Sequence, residues 1–136
     1  MYEVFEHTAD LGLRVRAATV DALFAEAAKG FFSLIVTNLD AVQRVQLKTY
    51  DLAEEELDYL LFDWLNELLY TFDTERLLLA EFRVHVSGGS LSAECRGEAL
   101  DMERHALAHE IKAITYHSLM VAKESGGWLA ELIVDI

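Results

Sequence analysis

Basic residues are scarce in this chain. Eleven lysines and arginines stand against 24 aspartates and glutamates, for a formal net charge of −13. A domain that grips RNA or DNA over a broad surface neutralises phosphates with clustered Lys and Arg, so stable direct nucleic-acid binding is not expected. Cysteine is limited to Cys95, which rules out an internal disulfide. Proline is absent, there is no low-complexity stretch or repeat, and nothing marks a linker. No apolar run approaches the ~18 residues of a membrane span. The opening Met1-Tyr2-Glu3-Val4-Phe5-Glu6 is acidic and short of small residues, unlike a signal peptide. Together these absences predict a cytoplasmic protein with no membrane partner. No glycine-rich segment leads into Lys-Ser or Lys-Thr, and no serine sits in a nucleophile elbow. Nucleotide hydrolysis and acyl transfer are therefore poorly supported.

What is present is 136 residues, 53% of them apolar, enough for one domain spanning 1–136 with a real core. An acidic protein can be steered to a basic partner or to cations, although solubility alone would also account for the charge. Tyr2 to Phe5 reads as a short strand, interrupted by His7-Thr8-Ala9-Asp10. Leu11, Leu13, Val15 and Ala17 then alternate as a half-buried strand. Thr19 can N-cap a helix, with Asp21 in its first turn. Val20, Leu23, Phe24, Ala27, Phe31, Leu34 and Ile35 follow at helical spacing, and Thr37-Asn38 ends the run. A strand is expected over 42–49. Asp51 and Glu54 resemble a capping box for a second helix. That helix has a wide apolar face of Leu57, Leu60, Leu61, Trp64, Leu65, Leu68, Leu69 and Phe72, widened by Tyr59, Phe62 and Tyr70. Leu77 to Ser87 and Leu91 to Ala99 read as a hairpin about Gly88-Gly89. Asp101 to Glu110 can hold a helical turn or two. Lys112 to Val121 alternates as a strand, and Ser125-Gly126-Gly127 turns into a final strand, Trp128 to Ile136. The fold class is α+β: one domain of mixed or antiparallel sheet layers packed on two main helices.

The last strand is apolar and is expected to be docked in a sheet. That would hold two hard oxygen groups, the Asp135 side chain and the Ile136 α-carboxylate, in a pattern suited to a hard cation. The plain alternative is a final strand with an acid in solvent. His105 and His109 lie four apart, as a helical zinc pair would, but without the glutamate of a zinc-protease helix. His7, His85 and His117 are isolated in sequence. Asp10 stands at a turn, where an aspartate usually bonds its own backbone and is alternatively a ligand. Glu98, Asp101, Arg104 and Glu110 form a polar cluster in sequence around Lys112. That lysine is either an edge residue that snorkels or a donor to a phosphate or a partner's acidic site.

Taken together, these segments resemble the archease family over essentially the whole length. The resemblance rests on His7-Thr8-Ala9-Asp10-Leu11-Gly12 and on Leu23-Phe24 with Ala27-Ala28. It continues through Leu60-Leu61 to Trp64-Leu65-Asn66-Glu67-Leu68-Leu69-Tyr70, then Gly97-Glu98 with His105, then Glu110-Ile111-Lys112-Ala113-Ile114-Thr115-Tyr116-His117. Val134-Asp135-Ile136 completes it. Six such segments in order make the signal specific. Ser118 departs from the family by standing where glycine is common, a change expected to bear on packing only. The resemblance implies a protein cofactor with no catalytic residues of its own, an activator of an RtcB-type RNA ligase that promotes GTP-dependent guanylylation of the ligase and multiple turnover in tRNA splicing and RNA repair. It implies a divalent metal, calcium, held by Asp10, Asp135 and Ile136, and it makes Asp10, Lys112 and Asp135 the ligase-activating residues. The alternatives are a stand-alone metal-dependent hydrolase, for which only His7 or His105 offers a general base, and an acidic chaperone or adaptor in RNA processing.

Overall fold

A computed structural model gives the protein's structure and describes residues 1–7 and 10–136. The chain runs β1 (Tyr2–His7), β2 (Asp10–Ala17), α1 (Val20–Ile35), β3 (Gln46–Ala53), α2 (Leu57–Glu75), β4 (Leu77–Ser87), β5 (Ser90–Ala99), β6 (Ala113–Glu124) and β7 (Gly127–Asp135). The strands make a four-stranded sheet in the order β1-β2-β7-β6 and a three-stranded sheet in the order β3-β5-β4. All five pairings are antiparallel. The α+β expectation holds. The turn expected over 7–10 has its two central residues, Thr8 and Ala9, outside the described residues; His7 and Asp10 on either side are partners in the ladder.

Both helices touch both sheets. This is why α1 buries Leu23, Phe24, Ala27, Ala28, Phe31, Phe32, Leu34 and Ile35 rather than a single narrow stripe. It begins where the sequence predicts: the Thr19 hydroxyl accepts from the Ala22 N–H at 3.1 Å, and Asp21 lies in the first turn. Trp64 of α2 is fully buried and donates its indole N–H to the Phe24 carbonyl at 3.1 Å, tying the two helices together. Tyr50 meets the same indole edge-on at 5.3 Å and bonds the Thr71 hydroxyl at 2.7 Å, linking the second sheet to α2.

Four expectations need correction. The strand expected over 42–49 is displaced: β3 runs from Gln46 to Ala53, because these residues find a full ladder on β5. For the same reason no capping box forms on Asp51 and Glu54. Asp51 is inside β3 opposite Ser92, and α2 starts at Leu57 with Glu56 at a cap position that makes no side-chain bond. Tyr59 and Tyr70 do not join the buried face of α2 but lie exposed. The stretch 101–112 contains a turn but no helix. It is held instead by an isolated bridge between Val36 and Leu107, by Ala108 N–H to the Ile35 carbonyl and by His109 N–H to the Leu34 carbonyl.

The strand read over 112–121 exists as β6 but is not continuous in register. Thr115 pairs with Ile133 and Met120 with Glu131, so Tyr116, His117, Ser118 and Leu119 stand against Leu132 alone. Within this bulge Ser118 adopts φ 58, a left-handed backbone for which glycine is the usual residue.

Candidate functional site

The four-stranded sheet carries the residues singled out in the sequence from both ends of the chain. In the β2–β7 ladder Leu11 pairs with Val134 and Gly12 with Ile133, so one step further Asp10 comes alongside Asp135. On its other side Asp135 pairs with Ala113, and the Lys112 N–H donates to the Asp135 carbonyl at 2.8 Å. One row across the sheet therefore reads His7, Asp10, Asp135, Ala113. Successive side chains alternate across a sheet. Leu13, Val15, Leu132 and Val134 face the helices and are buried. Asp10 and Asp135 take the opposite face with Gly12, Arg14 and Glu131. On that face the Phe5 ring lies over Gly12, where a Cβ would overlap it, and Arg14 stacks on Phe5 at 4.7 Å while its Nε donates to Glu131 at 2.7 Å.

Asp10, Asp135 and Ile136 are half-buried and Lys112 is exposed. Lys112 takes part in no ion pair among the described residues. Asp10 and Asp135 carry oxygen donors of the kind a hard cation takes. No group of three or more His, Cys, Asp and Glu side chains suited to a metal occurs among the described residues. A cation here would thus take its further oxygens from groups of another kind, such as the Ile136 carboxylate that the resemblance supplies.

The bulge adds a residue that the sequence reading set aside. His117 reaches past β7 and β2 to the ring of His7, with centroids 5.0 Å apart. The His7 Nδ1 is buried and has no hydrogen-bond partner among the described residues. The signal that could have found this pair is Ser118: a position that favours glycine after Thr-Tyr-His marks a break in the strand rather than its continuation.

The second polar cluster is structural. Glu98 is 7% exposed and His105 3%. The Asp101 N–H donates to His105 Nδ1 at 2.9 Å, so the ring proton lies on Nε2, which donates to Glu98 at 3.1 Å. Glu98 also accepts from the Gln43 N–H at 2.6 Å and from the Arg104 guanidinium. Burial alone would push the Glu98 carboxyl up, but these donors outweigh it and hold it at about 2. His105 is thereby committed, and it does not pair with His109, which is exposed. The cluster knits Glu98, Asp101 and Arg104 together as their sequence proximity suggested. Glu110 makes no hydrogen bond or ion pair with them among the described residues.

Comparison with known proteins places this chain. Residues 2–136 match the model of the Archease protein family (MTH1598/TM1083). Protein archease of Methanopyrus kandleri is 39% identical over 139 residues, covering 99% of each chain. Protein archease of Pyrococcus abyssi is 36% identical over 140 residues, covering 99% of this chain and 98% of its own. The solution structure of Methanobacterium thermoautotrophicum protein 1598 superposes with a TM-score of 0.88 at 30% identity, covering 99% of this chain and 98% of its own. A crystal structure of an archease from Thermotoga maritima, described as a possible chaperone, has the same fold, with a TM-score of 0.69 at 21% identity and coverage of 100% and 98%. With the family model spanning almost every residue, this chain belongs to the archease family.

Proposed function

We propose that this protein is a non-catalytic activator of an RtcB-type RNA ligase, promoting GTP-dependent guanylylation of the ligase and repeated turnover in tRNA splicing and RNA repair. The observation that supports the reading is that the backbones of Asp10, Asp135 and Lys112, from segments far apart in sequence, come to one end of the four-stranded sheet. Asp10, Asp135 and Ile136 would hold the divalent cation, and calcium suits their hard oxygen donors. When bound, the cation supplies concentrated positive charge between like-charged carboxylates. Lys112 presents an ammonium to a phosphate or to an acidic group of the partner. The net charge of −13 favours approach to the basic surface that an RNA ligase must carry. A hydrolase reading has less support, because His105 is committed to Glu98 and leaves only His7 as a base.

The test is multiple-turnover ligation by an RtcB-type ligase from the same source, with substoichiometric amounts of this protein. Native protein is expected to raise the number of turnovers. Asp10→Ala and Lys112→Ala are expected to lose that stimulation while keeping the native circular dichroism spectrum. Full stimulation by both variants, or none by the native chain on an active ligase, would sink the reading.

A further inference from the structure

The bulge in β6 turns two neighbouring side chains to different elements. His117 reaches His7, whereas Tyr116 lies flat on Phe62 of α2, with ring centroids 3.9 Å apart and an interplanar angle of 16°. Tyr59 stands edge-on to Tyr116 at 5.8 Å. Tyr59 is 47% exposed and Tyr116 58%, so the rings are stacked yet open to solvent. An open cavity of about 430 Å³ is lined by Glu56, Asp58, Tyr59, Tyr116 and Leu119. Asp58 gives one oxygen to the Val121 N–H at 3.2 Å, and Glu56 makes no capping bond. The arrangement is maintained at the expense of the left-handed backbone at Ser118. Such strain persists where the surrounding structure over-determines it, and it clusters at binding surfaces.

We propose that this aromatic platform with its acidic rim seats an arginine on the surface of a basic protein partner. The identity of that partner rests on the ligase reading above; the chemistry does not. A guanidinium is planar and always charged, so it can stack on an aromatic face while its N–H groups pair with carboxylates. A nucleobase could also stack on exposed tyrosines. Its phosphates would then face Glu56 and Asp58, the neighbouring Glu54 and Glu55, and a chain of net charge −13. The charge therefore selects the guanidinium. Position agrees: Tyr116 adjoins His117, whose ring meets His7, the ladder partner of Asp10. The platform on the helix side and the aspartates on the other face are thus linked through the two neighbouring residues of the bulge.

Two arms test this. In the first, ¹⁵N-labelled protein is titrated with nona-arginine and with nona-lysine. Shift changes are expected at Tyr59, Phe62 and Tyr116, with nona-arginine bound about tenfold tighter. The preference should vanish in Tyr116→Ala and in Glu56→Lys, the latter an exposed change outside the stack that guards against a disturbed bulge. Equal binding of both peptides, or an arginine preference that survives Glu56→Lys, overturns the proposal. In the second arm, calorimetry measures binding of the ligase to the native chain and both variants, with an expected loss of about tenfold. Native affinity in both variants overturns the platform while stimulation by the native chain keeps the ligase reading. Absence of any binding or stimulation by the native chain removes the ligase reading and leaves the peptide arm to decide the platform. An RNA oligonucleotide that binds the native chain and is lost in Tyr116→Ala would replace the arginine with a base.

Discussion

Glu98 is the residue on which local chemistry is most concentrated. It is buried, yet three donors converge on its carboxylate and hold it at about 2, below its ordinary 4.5. A carboxyl whose folded value is depressed contributes its full stability above the unfolded value. That contribution is lost as pH falls from about 4.5 to about 2. Glu98→Gln is expected to cost about 2 kcal/mol at pH 7, because an amide oxygen in the place of Oε2 keeps the donors of Gln43 and His105 but turns the amide NH2 onto the Arg104 guanidinium, and the charge is lost. Urea denaturation of both proteins at pH 7 and pH 3 should show the difference shrinking at the lower pH. An equal difference at both would mean that packing, not charge, is what Glu98 supplies. The consequence reaches the candidate site through the chain, since 101–112 leads directly to Lys112 and is tied down at its start by His105.

At the scale of elements, the break in β6 is what separates the observed site from the one expected. Glycine would relieve the left-handed position at Ser118, worth roughly 1 kcal/mol, partly offset by the greater freedom glycine gives the unfolded chain. Ser118→Gly is expected to raise stability by about 0.5 kcal/mol in urea denaturation; a loss would show that the serine side chain itself holds the bulge. The bulge was hidden because Lys112 to Val121 alternates without interruption, and alternation cannot reveal where the partner strand falls short. β3 and the start of α2 were misplaced for a related reason: the pairing of Asp51 with Ser92 on β5 outweighs a local capping signal. Elements whose signals are local were legible. Thr19 caps α1, Gly88 and Gly89 take positive φ in the β4–β5 hairpin, and Trp64 marks the buried face of α2. For the site, the family resemblance named Asp10, Lys112 and Asp135, and the strand register brings them to one corner. His117 was missed because its neighbour His7 is near only once the sheet is folded.

At the scale of the whole molecule, acidity is both an attraction to a basic partner and a burden. A chain of net charge −13 repels itself, and the register of β2 on β7 brings the acidic residues Asp10 and Asp135 to adjoining strand ends. A cation held between them would stabilise the fold by mass action. Calcium in excess of its dissociation constant should raise the thermal midpoint of the native chain by several degrees, at about 3 °C per kcal/mol for this chain length. Asp10→Ala and Asp135→Asn should show no such rise, and calorimetric scans with and without chelator decide it. An unchanged native midpoint at millimolar calcium would remove the cation from the proposal. The join between β2 and β7 has one more consequence, for biosynthesis. Leu11 waits for Val134, so while the chain emerges from the ribosome the first hairpin has no neighbour in its sheet, although both helices and the β3-β5-β4 sheet are already made. The aspartate corner forms after both helices and the second sheet, and only a molecule translated through β7 can offer it to anything.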